Sequence, residues 1–322
     1  MYDCREAAQF IASHSSFLVL GHKEPDGDCI ASQLTISALL EALGKTASLY
    51  SAGPFDRPEI SSFNDLFSAR IPDERRTGSA AIIVDCSTPD RTGPLGDRVK
   101  DLPCLVIDHH SSGEIFGNAR FVEPSAPSTT MLVLQLFEAM EVALNSEIGK
   151  LLLFGLCTDT GFFRHLGQNG ADTFRAVARL VEKGTSTAEV YMMVYGKRAL
   201  AGRKLLAEML ARVESHWDDR LLLTWQTIAD RERLGEVQRG EDDLYRLLQT
   251  IKGNVVVALV KQETEGVFSV GLRSNSTQDV GVIAASFGGG GHRQAAGFDI
   301  TGTLETVKKT LIDTLSPLLA TL

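Results

Sequence analysis

Short apolar runs alternate with segments of helical periodicity throughout the first half of the chain. The runs have the length and composition of buried strands, and they cover residues 17–21, 47–50, 80–84 and 104–107. Apolar residues at helical spacing cover 32–43, 60–67, 129–140, 148–156, 171–182 and 188–194. Strands that alternate with helices predict an α/β fold, in which a mostly parallel sheet carries helices on both faces.

A second series of strands and helices begins near residue 216. Strands are predicted at 221–225, 255–261 and 267–272, interleaved with helices at 242–251, 280–286 and 304–318. The chain has 322 residues, about twice a typical domain length. We therefore expect an N-terminal parallel-sheet domain at 1–195, a helical linker at 196–215 and a smaller α/β domain at 216–322.

Composition excludes several classes of protein. The net charge of −9 argues against a protein that coats long nucleic acid, because such binding depends on Lys and Arg side chains. No apolar run approaches the ~18 residues of a membrane-spanning helix, and no basic segment precedes an apolar one at the N-terminus. We therefore expect a cytoplasmic protein with no membrane partner. The five cysteines are scattered without a Cys-x-x-Cys pair, which predicts free, buried thiols.

Histidine and aspartate side chains follow the predicted strands and one later apolar run. The set comprises His22, Asp26, Asp28, Asp85, His109 and Asp159. In an open parallel sheet, ligands bind at the carboxyl ends of the strands. Imidazole and carboxylate donors suit a divalent ion such as Mn²⁺, and this set is large enough for two ions. Each segment alone is also typical of a solvated polar turn, but the joint pattern favours a metal centre.

The order of these motifs resembles the DHH-type phosphoesterases, and within them the stand-alone nanoRNase and pAp phosphatase group (pAp is 3′-phosphoadenosine 5′-phosphate). The resemblance spans residues 22–298 and covers both predicted domains. The motifs that carry it are His22-x-x-Pro25-Asp26-Gly27-Asp28, Asp85 with Arg91, Asp108-His109-His110, Asp159-Thr160-Gly161 and Gly289-Gly290-Gly291-His292.

The resemblance implies a role for each residue of the first domain. It assigns His22 and Asp26 to one ion, Asp28, His109 and Asp159 to the other, and Asp85 to both as a bridge. It places His110 next to the reacting phosphate, with Asp108 supporting the histidines. Arg91 is either a phosphate contact or a structural ion pair.

In the second domain, the resemblance implies a substrate-binding motif that closes over the metal site. The residues assigned to it are Gly289, Gly290, Gly291, His292 and Arg293, with Arg273 and Ser274 as a companion clamp. Glycine runs are otherwise typical of flexible loops. Here the backbone amides and the two cationic side chains suit a phosphate.

The resemblance implies a Mn²⁺-dependent phosphoesterase that hydrolyses short oligonucleotides to 5′-mononucleotides and pAp to AMP. Its expected partners are short oligoribonucleotides or small nucleotides, and a homodimer is left open. A cyclic di-AMP or pApA phosphodiesterase is the alternative within the family. A catalytically silent nucleotide-binding regulatory protein is the alternative of another class, although no metal ligand of the pattern is missing. A family inorganic pyrophosphatase or a long-strand exonuclease fits less well.

Overall fold

The structure is a computed structural model that describes residues 2–166, 170–234, 241–275 and 278–319. The chain divides into two compact units, Met1–Lys197 and Arg198–Leu322. Across the described ranges, no helix is long and apolar enough to cross a membrane.

The first unit is built on a five-stranded sheet whose neighbouring strands are all parallel, in the order β2-β1-β3-β4-β5. Its strands are β1 (Ser16–Leu20), β2 (Thr46–Tyr50), β3 (Ala80–Val84), β4 (Cys104–Asp108) and β5 (Ala119–Val122). β3 and β4 are buried along their whole length, as expected of strands covered on both faces. The sequence pattern predicts four of these strands and misses the edge strand β5.

Helices cover both faces of this sheet. They are α1 (Arg5–Ser13), α2 (Gly27–Ala42), α3 (Asp73–Arg76), α4 (Gly96–Val99), α5 (Thr129–Ala139), α6 (Ser146–Asp159), α7 (Gly170–Glu182) and α8 (Thr187–Tyr195). α2, α5 and α6 pack with alternate residues of the central strands in the larger apolar core, and α4 packs in a second core on the opposite face. Residues 60–67, predicted as an α-helix, instead contain a 3₁₀ helix at Ser61–Leu66.

The second unit contains a mixed six-stranded sheet in the order β10-β11-β9-β8-β7-β6. Its strands are β6 (Glu214–His216), β7 (Leu221–Gln226), β8 (Val256–Thr264), β9 (Val267–Ser274), β10 (Gly290–His292) and β11 (Ala295–Thr301). Its helices are α9 (Leu200–Ala211), α10 (Ile228–Leu234), α11 (Glu241–Leu248), α12 (Val280–Ser286) and α13 (Leu304–Leu319). The predicted fold class, a parallel α/β domain followed by a smaller α/β domain, is confirmed. α9 lies in the range predicted as a linker, and the boundaries at 195 and 215 stay predictions.

Candidate metal centre

The loop between β1 and α2 places the first histidine and aspartate. Asp26 caps α2, because its side chain accepts hydrogen bonds from the backbone N–H groups of Asp28 and Cys29 at 3.1 Å. This cap starts the helix at Gly27, five residues before the predicted start at 32. His22 donates from Nδ1 to the Lys23 carbonyl oxygen at 2.8 Å, which leaves Nε2 to face the carboxylates of the site.

Asp85 lies between two histidines. It follows β3 directly, is buried, and has a positive φ of 54°, a strained backbone conformation that is typical of functional positions. Its Oδ2 lies 3.5 Å from His22 Nε2, and its Oδ1 lies 3.7 Å from His109 Nε2. The two oxygens of one carboxylate therefore face two different imidazoles.

His109 and Asp159 form the other side of the centre. His109 donates from Nδ1 to the Ala126 carbonyl oxygen at 3.2 Å, so its Nε2 is also turned toward carboxylates. Asp159, the last residue of α6, has Oδ2 at 3.5 Å from that nitrogen. Ligand atoms of Asp28, His109 and Asp159 lie within 4.8 Å of one another.

The N-terminus of α5 fixes two of the carboxylates. Asp28 accepts hydrogen bonds from Thr129 N at 2.6 Å and from Thr130 N and Oγ1 at 3.0 and 2.8 Å. Thr129 Oγ1 donates to Asp85 Oδ1 at 3.0 Å. The sequence pattern leaves Ser128 and Thr129 open as a helix cap or a substrate contact, and the Ser128 side chain does accept a hydrogen bond from Met131 N. The pattern does not predict that Thr129 and Thr130 hold carboxylates of the site.

The donor set fits divalent cations. The histidine-to-carboxylate separations of 3.5–3.8 Å exceed an ordinary hydrogen bond. Two donors that share one ion at about 2.1 Å lie roughly 3.0–3.5 Å apart, close to these values. Burial, together with the charges of Asp85 and Asp26, raises the pKa of Asp159 to about 6 against the opposing effect of His109. Such crowding of buried carboxylates is relieved by bound cations.

His110 lies beside the donors of the cluster, with Nδ1 3.8 Å from Asp85 Oδ1, but its hydrogen bond goes to Asp108. Its Nδ1 donates to Asp108 Oδ1 at 2.7 Å, and its side chain is 34% exposed, twice as much as that of His109. This hydrogen bond raises the pKa of His110, although burial acts in the opposite direction.

The exposed side chain of Arg91 makes no ion pair within the described part of the chain, and the Arg91 carbonyl oxygen accepts from Lys23 N at 2.6 Å.

The second unit brings two of the predicted substrate residues into one row. His292 on β10 pairs with Ala295 on β11, which pairs with Arg273 on β9. Directly paired residues present their side chains on the same face of a sheet, about 4.8 Å apart per strand. His292 and Arg273 therefore share a face roughly 10 Å apart. The Arg273 guanidinium lies over the Tyr245 ring, 4.5 Å from its centroid.

The second half of the glycine run lies in a strand, because Gly290 and Gly291 belong to β10, whereas Gly288 and Gly289 precede it. A Cβ atom at Gly289 would lie 2.2 Å from the Gly297 carbonyl oxygen, and one at Gly291 would lie 2.5 Å from Ala296 Cα. Both glycines are therefore required by close packing against β11. A Cβ at Gly290 would meet nothing within 4 Å. Because β10 is an edge strand, some of its backbone groups face outward.

Comparisons with known proteins identify the family. The family model for the "DHH family, N-terminal domain" matches residues 16–156, and the family model for the "DHHA1 domain" matches residues 228–320. The bifunctional oligoribonuclease and PAP phosphatase NrnA of Thermus thermophilus is 31% identical over 284 residues, which cover 87% of this chain and 83% of that protein. The chain belongs to the DHH family. It is therefore a phosphoesterase, a hydrolase of phosphate esters, as the motif order predicts.

One further relative and one solved structure are also similar to this chain. The cyclic-di-AMP phosphodiesterase GdpP of Geobacillus thermodenitrificans is 26% identical over 315 residues, covering 88% of this chain and 44% of that longer protein. A solved structure described as an exopolyphosphatase-related protein of Bacteroides fragilis aligns with a TM-score of 0.84 at 22% identity, covering 97% of this chain and 96% of that one. That alignment shows a shared fold over 97% of this chain.

Proposed function

We propose that this enzyme hydrolyses short oligonucleotides to 5′-mononucleotides and pAp to AMP, using two divalent ions, preferably Mn²⁺. The similarity to the oligoribonuclease and PAP phosphatase over most of both chains supports this substrate class. The residues proposed to hold the ions are His22, Asp26, Asp28, Asp85, His109 and Asp159. A cytoplasmic location and a homodimer stay predictions.

The position of Asp85 carries the metal part of the proposal. Its two oxygens lie 3.5 and 3.7 Å from Nε2 atoms of two histidines on different loops. Each histidine also faces a second aspartate, Asp26 at 3.8 Å from His22 and Asp159 at 3.5 Å from His109. This arrangement is the one expected of a carboxylate shared between two ion positions.

When bound, a pair of divalent ions would neutralise phosphate oxygens and lower the pKa of a water molecule. The protein's own contribution is to fix the groups around the phosphate. Asp108 holds the His110 ring by its Nδ1–H, which orients the exposed part of the ring for a phosphate oxygen. Arg91 is proposed as a second phosphate contact, because its guanidinium is exposed and has no ion pair among the described residues.

The second unit is proposed to bind the nucleotide. Arg273 is suited to a bidentate grip on a phosphate, and His292 lies on the same sheet face. Ser274 and Arg293 flank these positions, and the backbone of Gly290 at the edge strand is the part of the glycine run that side-chain packing leaves open. Packing against β11 requires glycine at 289 and 291, and we propose that Gly289, Gly290 and Gly291 contact the substrate through their backbone.

A second candidate substrate is cyclic di-AMP or its linear product pApA. It is favoured by the similarity to the cyclic-di-AMP phosphodiesterase, although the chain spans less than half of that protein. The silent regulatory alternative is disfavoured because six of the expected donor side chains are present and face one another in the described structure.

The proposal is tested with a Mn²⁺-supplemented substrate panel read by product chromatography. The panel holds pAp, pApA, cyclic di-AMP, pyrophosphate and 5′-phosphorylated RNAs of two, five, ten and twenty nucleotides. We expect kcat/KM to fall with RNA length. Proteins bind long strands through basic tracks and aromatic side chains that stack on the bases, each stacked base contributing ~1–3 kcal/mol. This chain has a net charge of −9 and only 7% aromatic residues, so it lacks the composition for such a track.

A flat or rising length profile would contradict the proposal and favour a long-strand exonuclease. Turnover of cyclic di-AMP or of pApA well above that of pAp and of the other short RNAs would favour the second candidate. A chelator-treated sample is the control, and it should be inactive on every substrate.

A further inference from the structure

One cysteine lies among the proposed metal ligands. All five cysteines of the chain are free and buried. Cys29 differs from the others by its place, in the first turn of α2 directly after Asp28. Its sulfur and ligand atoms of His22 and Asp85 lie within 4.8 Å of one another, and all three residues are buried.

The packing around Cys29 fixes the position of its sulfur. A Cβ atom at residue 21 would lie 2.2 Å from the sulfur, so the glycine there leaves the space that the thiol occupies. Close to the same space, the thiol donates a weak hydrogen bond to Gln33 Oε1 at 3.8 Å. The Gln33 amide is itself fixed by hydrogen bonds to the Val19 and Tyr50 carbonyl oxygens at 3.1 and 2.9 Å.

The neighbouring Cys86 provides a matched comparison. It is also buried and comes directly after Asp85, and its thiol also donates a hydrogen bond, to the Thr88 carbonyl oxygen at 3.2 Å. Within the described residues, the clusters of potential metal ligands include Cys29 and none of the other four cysteines.

Sulfur changes which ion a site prefers. Carboxylate and imidazole donors accept Mn²⁺, whereas a thiolate favours softer and borderline ions such as Zn²⁺, Co²⁺ and Cd²⁺. We propose that Cys29 supplies a sulfur donor to the ion position between His22 and Asp85, which raises the affinity of this position for thiophilic divalent ions relative to an all-oxygen and nitrogen site, while Mn²⁺ still binds there when it is the ion supplied. On binding, a metal–sulfur bond forms and the thiol proton is released to solvent. The inference rests on the metal centre of the proposed function.

The test uses the full-length protein stripped of metal and titrated with Co²⁺. A sulfur-to-cobalt charge-transfer band in the near ultraviolet reports a cobalt–thiolate bond, while the weaker visible d–d bands report cobalt binding of any kind. We expect both in the wild type and in Cys86→Ala. In Cys29→Ala, we expect the d–d bands to remain and the charge-transfer band to disappear. Cys29→Ser serves as a second variant if the alanine variant is unfolded by circular dichroism.

The outcomes separate this inference from the proposed function. Visible bands without a charge-transfer band in the wild type, or a charge-transfer band that persists in Cys29→Ala, would overturn the sulfur donor alone. Absence of any cobalt uptake by the wild type would overturn the metal centre as well. As a second readout, Zn²⁺ should displace Mn²⁺ less effectively from Cys29→Ala than from Cys86→Ala, measured by competition dialysis with elemental analysis.

Discussion

The Thr129 hydroxyl links α5 to the proposed bridging carboxylate. Thr129 is fully buried and donates from Oγ1 to the same Asp85 oxygen that faces His109. Its backbone N–H holds Asp28 at the same time. Thr129 therefore orients two proposed metal ligands, the bridging Asp85 and also Asp28, without being a ligand itself.

Replacing Thr129 by valine should weaken metal binding while keeping the shape of the side chain. The backbone bond to Asp28 survives and only the hydroxyl bond to Asp85 is lost. Loss of such a supporting contact typically costs ~10–100-fold in metal affinity or activity, so we expect the Mn²⁺ concentration for half-maximal activity to rise by about that factor. Excess Mn²⁺ should restore most of the rate.

Thr35→Val is the matched control, because this equally buried threonine donates only to backbone carbonyl oxygens of α2, Ala31 at 2.7 Å and Ser32 at 3.2 Å. Equal Mn²⁺ dependence in the two variants would contradict a positioning role for Thr129.

For individual residues, the sequence predicts the proposed metal ligands better than it predicts the threonines that hold them in place. His22, Asp85 and His109 follow strands of a parallel sheet, so the strand pattern alone brings them to one edge. Thr129 and Thr130 meet Asp28 across about a hundred residues of sequence, and a hydroxyl at a helix start is ordinarily explained by capping. Nothing local distinguishes a threonine that holds a carboxylate from one that caps a helix.

Among the elements, the edge of the second sheet shows how strand pairing overrides local composition. The sequence pattern predicts a loop at Gly288–Gly291 and no strand at 295–301, since glycine and alanine have low strand propensity. In the structure, β11 pairs along its whole length with β9, and β10 adds to β11. The strand exists because of a non-local partner, which a single-sequence pattern cannot supply.

Arg273 and His292 are proposed to bind substrate and not metal, so replacing them should weaken substrate binding without changing the metal content. We expect Arg273→Ala and His292→Ala to keep the metal content of the wild type. An Arg–phosphate hydrogen bond contributes about 1.5–3 kcal/mol, so kcat/KM on pAp should fall roughly 10–100-fold for Arg273→Ala, mainly through KM.

The measurement for both variants combines steady-state kinetics with elemental analysis, and the exposed Lys309→Ala on α13 is the control. Depleted metal in either variant, or kinetics equal to those of Lys309→Ala, would argue against substrate binding by this row.

For the whole molecule, the restart of the apolar pattern after residue 216 is what predicts two α/β domains. Each unit of the structure has apolar cores of its own, so the two series of strands and helices do not share one sheet. At the edge of the first sheet, Asp26, Asp28, Asp85 and Asp159 lie close to histidines. Bound divalent ions would offset that local negative charge, so a net charge of −9 is compatible with an anionic substrate.

The most direct measurement of the central claim is the metal content and pAp turnover of Asp85→Asn, with Asp108→Asn as its control. We expect about two Mn²⁺ ions per wild-type chain and fewer than one in Asp85→Asn, because both ion positions lose a shared carboxylate. Asp85→Asn should lose more than ~100-fold in activity, whereas Asp108→Asn should keep its ions and lose ~10–100-fold. Circular dichroism establishes that both variants are folded. Two bound ions and wild-type turnover in Asp85→Asn would contradict the account.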